Sequence, residues 1–174
     1  LRENRNMPTV LLIQPTQYGS STRKPLKQKR IYLPGLALPL LASLAPDNWE
    51  VKIRIEVIDN IDFEEEADII GIGAMGHAVF RAMDIASEFR KRGKTVFMAG
   101  YMASIIPHFV DEHCDGVIVG DAEISLPELL KDFENTGAIR KKYDHPLKDL
   151  AGLPLPEYEL LLDKKIGFML PVQA

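Results

Sequence analysis

Apolar runs and helix-patterned segments alternate along the whole chain. Thr9-Val-Leu-Leu-Ile-Gln14 is continuously apolar and stopped by Pro15, the pattern of a central strand covered on both faces. Val51 to Val57 alternates strictly, with Val51, Ile53, Ile55 and Val57 on one side and Lys52, Arg54 and Glu56 on the other, which predicts a half-solvated strand at a sheet edge. Three further runs read as strands: Ile69 to Gly73, Lys94 to Ala99, and Asp115 to Gly120. The segments between them carry helical signals. Gly35 to Ala45 is rich in leucine and alanine, with Pro39 early and Pro46 at its end. From Ala78 to Arg92 the apolar residues Val79, Ala82, Met83, Ile85, Ala86 and Phe89 recur at helical spacing, and Gly93 ends the pattern. Ile105 to His113 predicts a helix with Pro107 in its first turn. Ser125-Leu-Pro-Glu128 places serine at an N-cap and glutamate at the capping-box position of a last helix, running to about Asn135 before Gly137. Ala138 to Tyr143 is a candidate for an additional short strand.

Five strands alternating with helices imply right-handed crossovers and a doubly wound α/β domain, a mainly parallel five-stranded sheet with helices on both faces. Residues 1–8 are polar and unpatterned and are expected to be a flexible N-terminus. The α/β domain is expected over residues 9–145, and 146–174 reads as an extended tail pinned by leucines. Open sheets of this kind bind ligands outside the carboxyl ends of the strands, where strand order reverses. The loops that begin at Gln14, Asp59, Gly73, Gly100 and Gly120 are therefore the ones of interest, and four of the five are rich in glycine or small residues.

Composition narrows the choice of partner. With 174 residues, 46% of them hydrophobic, the chain has room for one such domain and not for a second. Its net charge of −4 comes from interspersed signs and gives no nucleic-acid footprint. The basic run from Arg23 to Arg30 reads as a solvated loop. No stretch reaches the ~18 apolar residues of a membrane span. No signal-peptide pattern is present, and the single cysteine, Cys114, excludes an internal disulfide framework, so a cytoplasmic protein is expected. Cys114 itself reads as a small core residue, and His113 beside it as a helix end.

Gly71-Ile-Gly73-Ala-Met-Gly76 matches the dinucleotide fingerprint G-x-G-x-x-G between strand and helix, which makes a nicotinamide- or flavin-binding domain one reading. The motif lies on the third strand rather than the first, Gly71 falls within the strand, and Val96-Phe97-Met98 stands where an acid for the ribose would be needed. The four histidines and Cys114 do not pair at metal-ligand spacing, and no nucleophile motif is present. Asp121 and Glu123 are most simply acids at a helix N-terminus. No catalytic residue and no metal ligand are assigned.

The succession Val10-Leu-Leu-Ile-Gln-Pro15, Gly35 with Leu40-Leu-Ala-Ser-Leu44, Val51 to Asp59, Asp68-Ile-Ile-Gly-Ile-Gly73, Ala99-Gly100-Tyr-Met-Ala-Ser104 with Pro107, and Asp115-Gly-Val-Ile-Val-Gly-Asp-Ala-Glu123 with Leu126-Pro-Glu-Leu-Leu130 resembles the N-terminal cobalamin-binding domain of radical SAM enzymes. Leu150-Ala-Gly-Leu-Pro-Leu-Pro156 and Leu160-Leu-Leu-Asp163 are similar to the linker that joins it to the radical SAM barrel. The resemblance implies a flavodoxin-like or Rossmann-like fold and a base-off cobalamin on the carboxyl ends of the strands, its nucleotide tail running between sheet and helices. The residues it implies for cofactor binding are Gln14, Pro15 and Thr16 after the first strand, Gly73, Ala74, Met75, Gly76 and His77 after the third, Gly100, Tyr101, Met102 and Ala103 after the fourth, and Gly120, Asp121, Ala122 and Glu123 after the fifth.

Several positions depart from the family. Cobalamin mutases carry D-x-H-x-x-G after the first strand, where this chain reads Gln14-Pro-Thr-Gln-Tyr-Gly19, so no histidine is expected on cobalt. Ala99-Gly100-Tyr101-Met102-Ala103-Ser104 replaces Gly-Gly-x-His-x-Thr, and Gly120-Asp121-Ala122-Glu123 replaces Gly-Glu-Gly-Glu. The family's three-cysteine motif is not among these residues, so the iron-sulfur cluster and S-adenosylmethionine are expected only in a C-terminal radical SAM domain of a longer parent chain. Such a parent would transfer methyl groups to, or remodel a ring of, a small-molecule substrate. The alternative from a different class is a degenerate domain of the same fold that serves as a substrate or interaction platform, supported by Met102 and Asp121 and the lost histidine.

Overall fold

The computed structural model describes residues 7–73, 75–146, 149, 151–167 and 169–171. Six strands make one sheet: β1 (Thr9–Gln14), β2 (Glu50–Ile55), β3 (Ile69–Gly73), β4 (Thr95–Ala99), β5 (Gly116–Val119) and β6 (Lys142–Asp144). Their order is β2-β1-β3-β4-β5-β6, and every neighbouring pair runs parallel. The chain passes outward from β1 to β2 and then returns to β3 on the other side of β1, so strand order reverses between β1 and β3. The doubly wound α/β architecture is the expected one, and a sixth strand adds to the five predicted at the end of the Ala138–Tyr143 candidate stretch, at Lys142–Asp144. That strand has only buried Tyr143 between exposed Lys142 and Asp144, too short a pattern to define a strand by itself.

Five helices follow the strands: α1 (Ala37–Ser43), α2 (Ala78–Lys91), α3 (Tyr101–Ile105), α4 (Pro107–Val110) and α5 (Ala122–Thr136). Side chains alternate across the sheet, and the two faces collect separate cores. Leu11, Ile13, Ile70, Ile72, Val96 and Met98 pack with α2, α3 and α4, while Val10, Leu12, Ile69, Phe97 and Ile118 pack with α1 and α5. Cover on both sides accounts for the uninterrupted apolar run of β1, and β2 takes the edge position its alternation predicts. All six apolar residues predicted on α2 are buried. Gly71 belongs to the packing of the α1/α5 face: a β-carbon there would lie 2.3 Å from Cζ of Phe97 and 2.9 Å from Cδ2 of Leu12.

Three local expectations are corrected. The helix predicted from Ile105 to His113 begins at Tyr101 and breaks at Ile106, whose φ of −130° and ψ of 61° are imposed by the proline that follows it. Ser125 is not an N-cap: α5 begins a turn earlier, with Asp121 in the cap position, and Ser125 lies inside the helix. Glu56 does not sit on a solvated strand face; β2 ends at Ile55, and Glu56 turns inward to 2% exposure. The predicted close of α5 at Gly137 is met, with φ of 72° and its N–H donating to Phe133 O at 2.7 Å.

The tail is anchored by specific contacts rather than by a row of leucines. A 3-10 turn at Tyr158–Leu161 buries Leu161 against the α1/α5 core, and Glu157 N–H donates to Pro39 O at 2.9 Å. Lys164 Nζ reaches Asp59 Oδ2 at 2.9 Å. Ile166 forms a parallel bridge to Ile31, and Gly167 lies so close to Tyr32 that a β-carbon would be 2.3 Å from the Tyr32 carbonyl oxygen. Leu155 and Leu162 are exposed, and Leu147 and Leu150 lie outside the described residues. No helix among the described residues is long and apolar enough to cross a membrane.

Candidate functional site

Three adjacent strands end in the same device at the carboxyl edge of the sheet. After β3, β4 and β5 the chain turns through Gly76, Gly100 and Gly120, whose φ angles are 51°, 95° and 76°. Those angles favour glycine, because a β-carbon would crowd its own backbone. Among the described residues, chain neighbours aside, a β-carbon at Gly76 or Gly120 would meet no atom within 4 Å, and one at Gly73 would approach only Ala99 O, at 4.0 Å. The backbone thus lies bare toward open space. Met75, Tyr101, Ile105 and Ile124 are all exposed large apolar residues on these turns and the helices they open. Gathered at one edge, such residues make it a candidate binding surface, whereas single exposed ones carry no meaning.

One hydroxyl joins two of the turns. Ser104, in α3, donates from Oγ to Gly100 O at 3.0 Å and accepts from Gly120 N–H at 2.9 Å. Ala103 beside it is buried, and Met102 packs partly against the α2-side core. In α5, Ser125 is fully buried and its Oγ has no hydrogen-bond partner among the described residues, and Oε2 of Glu123 is also buried without one among them. Pro127 follows inside the same helix and cannot donate to the carbonyl of Glu123.

The crossover after β1 is built differently. Pro15 and Thr16 are buried, and Thr16 N–H donates to Glu56 Oε2 at 3.1 Å. The other oxygen of Glu56 accepts from Arg81 Nε and Nη2 at 2.9 and 2.7 Å. Lys27 Nζ donates to Glu56 O at 2.5 Å and also to Asp59 O. Tyr18 donates its hydroxyl to Asp84, and the Arg81 guanidinium stands 5.8 Å from the Tyr18 ring centroid. Partial burial first, and then the bond to Asp84, raises the Tyr18 phenol above its ordinary pKa. Between this crossover and α2 opens a cleft of about 1190 Å³, lined by Tyr18, Arg23, His77, Phe80 and His113. The His113 ring contacts Ser87 Oγ through Nδ1 at 2.9 Å.

The residues predicted for cofactor binding therefore divide. Gly73, Met75, Gly76, Gly100, Tyr101, Gly120 and Asp121 share the carboxyl edge. Gln14 is exposed at the end of β1, and its Oε1 would lie 3.5 Å from a β-carbon on Gly35, so it faces the approach to α1. His77 stands in the N-cap position of α2 and lines the cleft. Ala122 and Glu123 lie in the first turn of α5, partly buried. Ala74 lies outside the described residues. No three histidine, cysteine or acidic side chains come together as a metal site among the described residues. Cys114 is fully buried, and burial pushes its thiol pKa up to about 11. Sequence reasoning missed Ser104, Glu56 and Arg81 as parts of the site. Ser104 had a usable signal, a hydroxyl four residues after a glycine turn at a helix start; Glu56 had none, since its strand alternation pointed it outward.

No family model matches the chain. It is similar to the bacteriochlorophyllide d C-8(2)-methyltransferase of Chlorobaculum tepidum, with 36% identity over 63% of this chain and 24% of that protein. It is also similar to two uncharacterized methyltransferases. One is from Synechocystis sp., at 29% identity over 86% of this chain and 28% of that protein. The other is from Pyrococcus horikoshii, at 26% identity over 75% of this chain and 35% of that protein. All three relatives are named methyltransferases, and the chain spans about a quarter to a third of their length.

Proposed function

We propose that this chain is the cobalamin-binding part of a larger cobalamin-dependent radical SAM methyltransferase. The observation that carries the reading is the row of three positive-φ glycines, with no neighbouring atom among the described residues within 4 Å of a β-carbon added at Gly76 or Gly120. The similarity to proteins named methyltransferases supports methyl transfer as the activity of the longer protein.

The residues present fit a flat macrocycle. Gly73, Gly76, Gly100 and Gly120 would hold its face against bare backbone, and Met75 and Tyr101 would add apolar contact at the rim. Small residues continue below the edge on the α1/α5 side, where Ala99 stands beside Gly73 in the sheet. Within the α5 layer of that same face the buried Ser125 Oγ is unpaired, a polar atom suited to a heterocyclic nitrogen of the nucleotide tail. When bound, cobalamin supplies a transferable methyl group on cobalt. The chain's own residues bind and orient it and keep one side dry. Gln14, Pro15 and Thr16 carry no imidazole, so the cobalt takes no histidine from the β1 crossover. Iron-sulfur and S-adenosylmethionine chemistry, and the small-molecule substrate, belong to the rest of the longer protein.

Titration with hydroxocobalamin, followed by its visible spectrum, tests the reading. Wild type should bind saturably. Gly73→Val should weaken binding at least tenfold with its unfolding midpoint unchanged, because a side chain there reaches no neighbour closely. Absence of saturable binding by the folded chain, or equal affinity of Gly73→Val, overturns the proposal. For the parent enzyme, coding sequence beyond Ala174 should show three cysteines within about 20 residues.

A further inference from the structure

The β4–β5 ladder stops early. Its paired residues are Phe97 with Gly116 and Met98 with Val117, whereas β3 and β4 remain paired to Gly73 with Ala99, and β5 and β6 to Val119 with Asp144. Toward the carboxyl edge, therefore, the β4 and β5 turns lack the sheet pairing that continues between β3 and β4 to the ends of both strands. Both turns are glycine turns of positive φ, the backbone type with the widest conformational choice. The Ser104 hydroxyl spans the opening: it donates to Gly100 O on the β4 side and accepts from Gly120 N–H on the β5 side. Both of its hydrogen-bonding capacities are used across the gap, one in each direction.

We infer that Ser104 is a positioning residue that sets the spacing of the β4 and β5 turns and thereby the affinity of the site for its macrocycle. The inference rests on the cobalamin reading for its ligand and on the early end of the β4–β5 ladder for its geometry. Ser104 touches no reacting atom. It holds Gly100 and Gly120 as a preformed rest, so the ligand does not have to order two glycine turns as it binds. An alanine keeps the helix and loses the bridge. A threonine keeps the hydroxyl.

The test uses the 174-residue chain as wild type, Ser104→Ala and Ser104→Thr. Amide exchange at Gly120 is read by NMR without ligand, and hydroxocobalamin affinity by visible absorption. Ser104→Ala should speed Gly120 exchange about tenfold and weaken binding about tenfold, both corresponding to one lost hydrogen bond, while its thermal midpoint stays near wild type. Ser104→Thr should restore both. Unchanged Gly120 exchange in Ser104→Ala, or unchanged affinity despite faster exchange, overturns the inference, as does a threonine variant as defective as alanine. A wild type that binds no cobalamin but shows faster Gly120 exchange on loss of the hydroxyl refutes the functional reading and the affinity role, and leaves only the structural bridge.

Discussion

On the two sides of the strand-order reversal the carboxyl edge is held by different physics. On the β1–β2 side, Glu56, Arg81, Lys27 and Thr16 tie the long crossover down through charge, with Glu56 at 2% exposure and the Arg81 side chain at 16%. On the β3–β5 side, three glycine turns and the single Ser104 hydroxyl do the work, with no charged side chain among the described residues tying them. A buried ion pair fixes one geometry and leaves little room; bare glycine backbone leaves room and depends on neighbours for its shape. The difference suggests that the first side is a fixed wall and the second a surface prepared for something else to complete.

Mutations can break this contrast at its strongest point first. Arg81→Met leaves the Glu56 carboxylate buried and without its partner, and should cost roughly 3 kcal/mol of unfolding free energy by urea denaturation. Adding Glu56→Leu should recover much of that loss, since an apolar pair removes the stranded charge. A cost below about 1 kcal/mol for the single change would show that charge does not hold the crossover. Gly71→Ala should cost roughly 2 kcal/mol through overpacking against Phe97, while Gly73→Ala, two residues on, should stay within about 0.5 kcal/mol. Equal costs would mean that the space beside Gly73 is not open. Gly120→Ala meets no neighbour and should cost about 1 kcal/mol, from its backbone angle alone.

An effect confined to alkaline pH lies away from both sides. The Cys114 thiol has a folded pKa of about 11 against an ordinary 9.0, because burial disfavours the thiolate. The folded state therefore holds this proton more tightly. The resulting stability is complete below pH 9.0 and is lost as pH rises through about 11. Unfolding midpoints should fall over that range in wild type more than in Cys114→Ala, and at pH 8 the native thiol should be inert to an aromatic disulfide reagent.

The sheet was legible because its signal is periodic and redundant. β1 shows as an uninterrupted apolar run and α2 as six apolar residues at helical spacing, and the five longer strands follow from patterns of this kind, as the close of α5 follows from Gly137. Elements decided by one residue were not legible. The break between α3 and α4 rests on the proline after Ile106, and the start of α5 on a turn that Ser125 seemed to cap, while β6 was legible as a candidate strand without its bounds. The glycines singled out after the third, fourth and fifth strands do stand at the carboxyl edge of the sheet. The placement of Gly71 inside the strand was legible too; what the sequence did not show is that Phe97 packs over it while Gly76, in the same G-x-G-x-x-G match, opens outward. Glu56 was misread because an alternating pattern cannot announce the residue at which the strand stops.

The bridge between Ile31 and Ile166 joins segments from opposite ends of the sequence. Contacts of such wide separation form late, since the intervening chain must first be closed into a loop. During synthesis the sheet strands can associate as they emerge, but the Ile31–Tyr32 stretch of the β1 crossover waits for Ile166 and Gly167 to settle against it. Residues made late thus secure a stretch made early, and a chain released before them would carry a complete sheet and a crossover still loose at Ile31 and Tyr32.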